Sequence, residues 1–210
     1  MLTLEHAGKS YNGRQVIDSV TLRLNPGERL CLIGPSGSGK TTLMEIIAGI
    51  APLDRGTRTV SFARIGYAFQ DDALIPWRTA RENILFGLSG IFGREDAENR
   101  ASEWLNRFGL GKDMDKKPNQ LSGGMRRRLN LARCMAMSPD LILLDEPFAF
   151  LDDTWQAEVF HAVTEEAEQL SAAVILAGHV PGLVSRLNWP EVRLNQAPTR
   201  IHWPSRLYAM

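Results

Sequence analysis

Residues 34–41 have the residue types and the spacing of a loop that binds phosphate groups. They read GPSGSGKT, which fits the pattern GxxxxGK[ST], and they lie between an apolar strand pattern and a helical pattern. Glycines in such a turn let the backbone aim several N–H groups at one polyanion, and the start of the following helix adds positive potential. We expect nucleotide phosphates to be bound by Gly34, Pro35, Ser36, Gly37, Ser38, Gly39, Lys40, Thr41 and Thr42.

Two acidic residues supply the chemistry that a phosphate loop lacks. Asp145 and Glu146 end the apolar run in LILLDEP, where carboxylates are costly unless they meet a cation or water. In a parallel sheet the carboxyl ends of the strands face one crevice, so these acids should reach the bound phosphates. We expect Asp145 and the Thr41 hydroxyl to hold Mg²⁺, and Glu146 to orient and deprotonate an attacking water. Without the phosphate loop, a structural strand followed by an acidic loop would explain the two acids equally well.

The patterns around these residues predict an α/β fold with a parallel core sheet. Alternating residues on both sides of Asn12 and Gly13 predict an antiparallel hairpin, which would form a small β-lobe at the N-terminus. Further along, apolar strand patterns alternate with helical ones, and about 50 residues from Thr79 onward are mostly helical in pattern. We expect one domain over residues 1–210, with the nucleotide-binding core and β-lobe at about 1–78 and 136–210 and a helical subdomain at about 79–135.

Composition and charge disfavour several classes of protein. Lys+Arg and Asp+Glu both count 24, so the chain lacks the positive field that drives non-specific binding to nucleic acid. No apolar run approaches the roughly 18 residues that cross a bilayer, and the N-terminus lacks the layout of a signal peptide, so we expect a cytosolic location. Cys31 and Cys134 lie in apolar contexts that favour buried thiols over a disulfide.

Three consecutive arginines follow the sequence LSGGM at the start of a predicted helix. Successive helix positions turn by about 100°, so Arg126, Arg127 and Arg128 fan around the helix and cannot form one patch. We expect all three to be solvated or ion-paired at the surface, with no nucleic-acid partner.

Five motifs occur together in the order and approximate spacing that resemble an ATP-binding-cassette (ABC) transporter ATPase subunit. They are GPSGSGKT, LSGGM, LILLDEP, Gln70 in YAFQDD and His179 in ILAGH, and the resemblance covers nearly the whole chain. The resemblance implies a P-loop NTPase fold with a parallel core sheet, a small N-terminal antiparallel β-lobe and an inserted helical subdomain. It also implies ATP and Mg²⁺ as cofactors and a head-to-tail dimer, in which the partner's ATP contacts Ser122, Gly123 and Gly124.

The resemblance assigns roles to four further residues. Tyr11 matches the aromatic residue that stacks on adenine, and Gln70 matches the glutamine that reaches Mg²⁺ and the attacking water. Asp152 matches the aspartate of the loop after the catalytic acid, and His179 matches the histidine that contacts the γ-phosphate. From the residues alone other interpretations stay open, because a tyrosine can pack on its own sheet, Asp152 can cap the following helix, and a histidine at a strand end can be a core residue.

The chain departs from the common pattern of the resembled family at three positions. Met125 stands where glutamine is commonest, so we expect packing rather than an amide contact there. Val180 replaces the acid that often follows the switch histidine, and Arg127 is unusual between two positions that are usually basic. A length of 210 residues leaves no room for a separate regulatory domain, so we do not expect control by a C-terminal sensor.

The stretch FQDDALIPWRTARENILFG resembles the lid region of importers of nitrate, sulfonate and taurine. By that resemblance, this segment beside Gln70 forms the groove that receives a helix from a transmembrane permease subunit, and its apolar Leu74, Ile75 and Trp77 are what such a groove requires. We therefore expect a peripheral protein at the cytoplasmic face of the inner membrane that drives import of a small solute. Its partners would be a second copy or a paralogous ATPase, the permease subunits and a solute-binding protein.

Two other functions share the nucleotide motifs. A soluble ATPase in DNA repair would need a long coiled coil or a metal-bearing insertion, and the sequence has no heptad run and no CxxC. A clamp that binds ATP without turnover would lack the catalytic acid, whereas Glu146 is present. The sequence therefore favours ATP hydrolysis coupled to transport and leaves the transported solute open.

Overall fold

The computed structural model describes residues 1–178 and 189–203, which form two sheets and five α-helices. In chain order the elements are β1 (Leu2–Tyr11), β2 (Arg14–Leu24), β3 (Arg29–Ile33), α1 (Lys40–Ala48), β4 (Arg55–Val60), β5 (Ile65–Ala68), α2 (Ala80–Leu88), α3 (Arg94–Arg107), α4 (Gly123–Ala136), β6 (Leu141–Asp145), α5 (Asp153–Leu170), β7 (Ala173–Gly178), β8 (Glu191–Arg193) and β9 (Thr199–Trp203). Two 3-10 turns, Gly111–Asp113 and Pro118–Gln120, lie between α3 and α4.

The first sheet has the strand order β4-β1-β2-β9. Strand β1 pairs antiparallel with β2 and β4, as the hairpin pattern around Asn12 predicts, so the N-terminal β-lobe is confirmed. Strand β9 joins the same sheet in parallel with β2, although it lies near the other end of the chain. This pairing joins distant segments, and no local pattern predicts it.

The second sheet has the order β5-β6-β7-β3-β8, and all of its strand pairs are parallel. All five residues of β6 are buried. Leu141 and Leu143 pack into one apolar cluster, whereas Ile142 and Leu144 pack into another on the opposite face. A strand covered on both faces has a continuous apolar sequence, which is why LILLD predicts it. The expected parallel core sheet is confirmed, and the carboxyl ends of β3, β6 and β7 lie at one edge.

The segment that follows Thr79 is helical, as its sequence pattern predicts. Helices α2, α3 and α4 pack on one another around buried apolar residues. Helix α2 begins at a capping box, in which the Thr79 N–H donates to the Glu82 carboxylate at 2.7 Å and the Glu82 N–H donates to the Thr79 hydroxyl at 3.2 Å. Trp104 and Phe108, both buried, stack with 5.7 Å between their ring centroids. These contacts hold the helices as one layer beside the parallel sheet.

Both cysteines are free and buried, and burial raises the pKa of each thiol to about 12. Cys31 and Cys134 are therefore protonated near neutral pH. Within the two described ranges, no helix combines the length and the apolar character that a membrane crossing requires.

The expectation that all three arginines of α4 lie at the surface is wrong for Arg127. Its side chain is 1% exposed, whereas that of Arg126 is 40% exposed. Arg127 points inward, where carbonyl oxygens at the ends of β5 and β6 accept its hydrogen bonds. The three arginines point in different directions around α4, as predicted. The oxygens that accept hydrogen bonds from Arg127 belong to distant segments, so the residues next to Arg127 in the sequence do not indicate its burial.

Candidate functional site

The glycines of the phosphate loop are required by its close packing between β3 and α1. A Cβ on Gly34 would lie 2.6 Å from the carbonyl oxygen of Leu194, which is too close for any side chain. Gly39 has a φ of 92° in the left-handed region, and a Cβ there would lie 3.0 Å from Cδ1 of Ile17. The loop is therefore held against β2 and Leu194, and the N-terminal N–H groups of α1 lie at its end.

Lys40 lies inside this turn. The residue is 7% exposed, and its ammonium group donates to the carbonyl oxygens of Gly34 at 2.8 Å and Pro35 at 3.1 Å. The loop thus wraps around a cation. Together with the start of α1, Lys40 gives the turn positive potential, which is what a polyphosphate needs.

Asp145 is fully buried at the end of β6, and neither of its carboxylate oxygens has a hydrogen-bond partner among the described residues. Burial raises the pKa of Asp145 above its usual value, and the charge of Glu146 acts in the same direction. The Thr41 hydroxyl, Arg127 and Lys40 oppose this rise of the pKa. A carboxylate in such surroundings is costly by itself and is suited to a cation.

Thr41 links Asp145 to a further oxygen atom, that of the Gln70 amide. The Thr41 hydroxyl donates to Oε1 of Gln70 at 3.2 Å, so the start of α1 meets the segment that follows β5. The Thr41 hydroxyl also influences the Asp145 carboxylate, since it lowers its pKa. A hydroxyl, an amide oxygen and a carboxylate are hard oxygen donors, which Mg²⁺ prefers. The three residues that the sequence assigns to the metal therefore fit Mg²⁺.

Glu146 follows β6 with a φ of 50°, in the left-handed region that a glutamate rarely adopts. Its N–H donates to the carbonyl oxygen of Ala177 at 2.9 Å, which fixes the residue to β7. A Cβ on Gly178 would lie 3.7 Å from Oε2 of Glu146, so the carboxylate reaches the end of β7. Unusual backbone conformations of this kind cluster at functional sites. The predicted site residue His179, and Val180 after it, lie outside the described residues.

A cleft of about 680 Å³ brings half of the predicted site residues together. Its lining includes Pro35, Ser36, Gly37, Gly39, Lys40, Thr41, Thr42, Gln70 and Glu146. It also includes residues that the sequence did not single out, namely Arg14, Val16, Asp71, Ala149, Phe150 and Ala197. Asp71, Ala149 and Phe150 are close neighbours of Gln70 and Glu146 in the chain, and this proximity is the one signal that could have found them.

The other predicted residues within the described ranges lie outside the lining; they are Tyr11, Gly34, Ser38, Ser122, Gly123, Gly124, Asp145 and Asp152. Tyr11 is 43% exposed at the end of the β1-β2 hairpin, and Arg14 from the same hairpin lines the cleft. Asp152 caps α5, because its Oδ1 accepts a hydrogen bond from the Trp155 N–H at 2.8 Å. The capping interpretation of Asp152 is confirmed, and the binding roles of Tyr11 and Asp152 stay predictions.

The LSGG segment forms the N-terminus of α4 and packs against the loop after β6. The Ser122 hydroxyl caps the helix by accepting from the Met125 N–H at 3.3 Å. A Cβ on Gly124 would lie 2.9 Å from the carbonyl oxygen of Phe150, so a glycine is needed for this approach. The Phe150 side chain is 83% exposed and lies beside Gly123. The helix N-terminus and an exposed aromatic ring that lines the cleft are thus neighbours.

An apolar cavity of about 340 Å³ lies where α1, β5, α2 and α4 approach one another. Its lining consists of Ala48, Ile50, Ile65, Tyr67, Phe69, Ala73, Phe86, Gly87, Arg133, Cys134 and Met137. Ile50 and Phe86 are each 55% exposed. The predicted groove residues Leu74, Ile75 and Trp77 are not in this lining; Leu74 packs against the core, and Trp77 is 72% exposed. Phe69, Ala73, Phe86 and Gly87 of this lining belong to the predicted stretch FQDDALIPWRTARENILFG, and other segments supply the rest.

Comparison with known proteins identifies the family. A family model described as "ABC transporter" matches residues 17–149, which is more than half of the chain. The chain belongs to the ABC transporter family. The matched range contains the phosphate loop, Gln70, the LSGG segment and both acids, so the family expected from the five motifs is confirmed.

Two similar proteins are named as importers. The Fe(3+) ions import ATP-binding protein FbpC 2 of Pectobacterium atrosepticum is 39% identical over 197 residues, which cover 87% of this chain and 56% of that protein. The taurine import ATP-binding protein TauB of Escherichia coli K12 is 36% identical over 188 residues, which cover 85% of this chain and 73% of that protein. The chain thus spans little more than half the length of the iron-import relatives.

Solved structures match the fold over nearly the whole chain. The dimeric post-hydrolysis structure of the ATP-binding cassette MJ0796 bound to ADP and Pi has a TM-score of 0.88 and 27% identity, and covers 100% of both chains. A second dimeric structure of MJ0796, a bacterial ABC transporter cassette, has a TM-score of 0.88 and 28% identity over 97% of each chain. The predicted fold class, an ABC-type P-loop fold with a parallel core sheet and an antiparallel β-lobe, is confirmed.

Proposed function

We propose that this chain binds and hydrolyses ATP and couples the reaction to import of a small solute across a membrane. The observation that carries the proposal is the cleft in which the phosphate loop, Gln70 and Glu146 meet beside the buried carboxylate of Asp145. These groups are what phosphoryl transfer to water requires, namely a cradle for a polyanion, oxygen ligands for a cation, and an acid that accepts a proton.

The phosphate loop is proposed to bind the triphosphate of ATP. The N–H groups at the start of α1 and the Lys40 ammonium group would meet the phosphate oxygens. Lys40 would then exchange its hydrogen bonds to the Gly34 and Pro35 carbonyl oxygens for stronger ones to charged phosphate. Tyr11, exposed at the end of the hairpin that flanks the cleft, would stack on the adenine.

Thr41, Gln70 and Asp145 are proposed to hold Mg²⁺, with Asp145 acting through water. The unpartnered oxygens of Asp145 and the contact between Thr41 and Gln70 support this assignment. When bound, Mg²⁺ neutralises charge on the β- and γ-phosphate oxygens and so lowers the barrier to transfer.

Glu146 is proposed to orient the attacking water and to accept its proton. Gln70 lines the same cleft and would hold the water from the other side. The Glu146 carboxylate lies beside Gly178, and His179, the next residue in the chain, would contact the γ-phosphate. Attack of the water on the γ-phosphate would then transfer a proton to Glu146 and release ADP and phosphate.

A second copy is proposed to complete the site. Ser122, Gly123 and Gly124 lie outside the lining of the chain's own cleft, yet they form a helix N-terminus suited to an anion. Exposure of the neighbouring Phe150 and the dimeric structures of the similar cassette MJ0796 support an interface here. In a head-to-tail dimer, with a second copy or a paralogous ATPase, the LSGG segment would meet the ATP of the other subunit, and Asp152 would contribute from the adjoining loop.

The apolar cavity lined by Ile50 and Phe86 is proposed to receive a helix of a transmembrane permease subunit. Both side chains are largely exposed around a cavity, and exposed apolar residues that cluster in this way mark interaction sites. Binding there would hold the chain at the cytoplasmic face of the membrane. The names of the iron-import and taurine-import relatives favour import, for which a solute-binding protein would deliver the solute.

Substitution Glu146→Gln tests the proposed function. The amide keeps the shape of the side chain but cannot accept the proton, so turnover of ATP should fall by about 10²- to 10⁴-fold while ATP binding is retained. Glu158→Gln, an exposed acid on α5, is the matched control and should leave turnover unchanged. Wild-type turnover in Glu146→Gln would contradict the assignment, and stimulation of turnover by DNA would favour the repair function instead.

A further inference from the structure

Arg127 connects α4 to the segment that carries Gln70. The residue is 1% exposed, and its Nη1 donates to the carbonyl oxygens of Phe69 and Gln70, the latter at 3.3 Å. These carbonyl oxygens lie where the chain leaves β5 and enters the cleft. Arg127 therefore holds the backbone of the residue whose side chain contacts Thr41.

The same guanidinium group binds the loop that follows β6. Its Nη2 donates to the carbonyl oxygens of Asp145 and Glu146, the latter at 2.5 Å, and its Nε donates to that of Pro147 at 3.4 Å. A guanidinium group presents its donors in a rigid planar fork, so the acceptors on both sides are fixed relative to one another. One side chain thus joins the backbones that position Gln70 and Glu146.

Packing alone does not explain a charged residue at this position. Burial lowers the pKa of Arg127, and the nearest acidic partner that the structure gives it, Asp72, lies 3.9 Å away. A buried guanidinium group is costly unless its donors are paired, and an apolar side chain of similar volume would fill the same space. What an apolar side chain cannot do is bind carbonyl oxygens of two separate loops.

The neighbouring arginines lack this arrangement in the part of the chain that the structure describes. Arg126 pairs with Asp72 at 3.5 Å. Arg128 donates to the carbonyl oxygen of Phe108 at 2.6 Å and lies 3.9 Å from the centre of the Trp155 ring. Arg128 is therefore a matched control, because it has the same charge on the same helix and contacts neither loop.

We propose that Arg127, which lies on α4, is a positioning residue for ATP hydrolysis. Its side chain fixes the position of Gln70 relative to Glu146. The inference rests on the proposed function. Helix α4 begins at the LSGG segment, so a displacement of that helix would reach both groups through Arg127. Asn130 of the same helix also donates to the Phe69 carbonyl oxygen, at 2.8 Å, but Arg127 joins that segment to the loop after β6. Among the described residues, the hydrogen bonds and the ion pair of Arg127 do not involve the phosphate loop, so Arg127 should affect the rate of turnover rather than the affinity for ATP.

The test compares Arg127→Gln, Arg127→Lys and Arg128→Gln in the full chain, measuring kcat, the Kd for ATP and Tm. Glutamine keeps too few donors to bind both loops, so Arg127→Gln should lower kcat by about 10- to 100-fold and change the Kd by less than about threefold. Arg127→Lys should fall between the wild type and Arg127→Gln. Arg128→Gln should lower Tm and keep the kcat of the folded protein. If Arg127→Gln does not fold, Arg127→Lys carries the same comparison.

Two further measurements separate positioning from general stability. Without nucleotide, hydrogen exchange in residues 69–72 and 145–150 should rise in the Arg127 variants and stay unchanged in Arg128→Gln. In the Gln70→Ala background, Arg127→Gln should lower kcat by a smaller factor than it does in the wild type, because part of its effect depends on Gln70. Wild-type kcat in Arg127→Gln, parallel losses of kcat and ATP affinity, or full additivity with Gln70→Ala would overturn the proposal. Loss of turnover in Glu146→Gln alongside these results would leave the proposed function standing.

Discussion

Asp145→Asn should stabilise the nucleotide-free protein and at the same time remove its response to Mg²⁺. The Asp145 carboxylate is fully buried; the Thr41 and Tyr67 hydroxyls act on it, but neither of its oxygens accepts a hydrogen bond of regular geometry from the described residues. A buried charged group in that state costs about 1–3 kcal/mol or more. The attraction of Lys40 and Arg127 is lost together with the charge, so we expect a net gain near the lower end, about 1 kcal/mol.

The expected shift is measurable by thermal unfolding. For a chain of this size, about 1 kcal/mol raises Tm by roughly 2–4 °C. Saturating ATP with Mg²⁺, at about 100 times its Kd, should stabilise the wild type by about 2.7 kcal/mol. Asp145→Asn should lose the part of this stabilisation that depends on Mg²⁺. The order of the two Tm values should therefore reverse when Mg²⁺ and ATP are added.

The pH dependence follows from the raised pKa of Asp145. Its folded-state pKa lies above the ordinary value of 3.8, so the folded protein holds the proton more tightly and the ionised form destabilises it. The advantage of Asp145→Asn should be present at neutral pH and should shrink as the pH falls through the raised pKa toward 3.8. Urea unfolding of both proteins over this range measures the difference in the free energy of unfolding.

Asp140→Asn provides the control at the other end of β6. The Asp140 carboxylate accepts hydrogen bonds from the N–H groups of Ala63 at 2.9 Å and Arg64 at 3.1 Å, so removing its charge should not raise Tm. A lower Tm of nucleotide-free Asp145→Asn, or an unchanged Mg²⁺-dependent increment, would refute the reasoning.

Two more predictions concern the surfaces that bind partners. Phe150→Ala, tested in the Glu146→Gln background, should weaken the ATP-dependent dimer by about 10- to 100-fold, because an 83% exposed ring would be buried there. The monomer's Tm should stay unchanged. Analytical ultracentrifugation measures the dimer Kd and thermal unfolding measures Tm; an unaltered dimer Kd would remove Phe150 from the interface. Phe86→Asp should reduce sedimentation with membranes that contain the permease without loss of ATP binding, whereas Ile91→Asp, an exposed apolar residue outside the cavity lining, should not; equal sedimentation of the two variants would contradict the proposed docking site.

The sequence predicted the elements whose residues depend on their immediate neighbours. The apolar run of β6 reflects burial on both faces, and the hairpin of β1 and β2 follows from its turn residues. The phosphate loop was recognisable because its own backbone requires glycines, as the left-handed φ values of Gly37 and Gly39 show. The capping role of Asp152 could also be anticipated, because a cap and its helix are adjacent in the chain.

Features that depend on distant segments were not predictable in this way. Arg127 is buried only because carbonyl oxygens from residues 69–70 and 145–147 converge on it. The apolar cavity combines Phe86, which lies in the stretch that the sequence indicated, with Ile50 from a distant segment that it did not indicate. The same limit applies to Phe150, whose exposure depends on how α4 packs beside it.

The hydrogen bonds that Arg127 makes with the two loops end on main-chain oxygens, and every amino acid supplies the same oxygen. Substitutions at residues 69–70 and 145–147 therefore leave these hydrogen bonds in place, whereas a substitution of Arg127 removes them. For the same reason, a variant that lacks the Glu146 carboxylate or the Gln70 amide keeps the hydrogen bonds between Arg127 and the two loops. Such a variant should still undergo the conformational changes that precede ATP hydrolysis and should stop at the hydrolysis step.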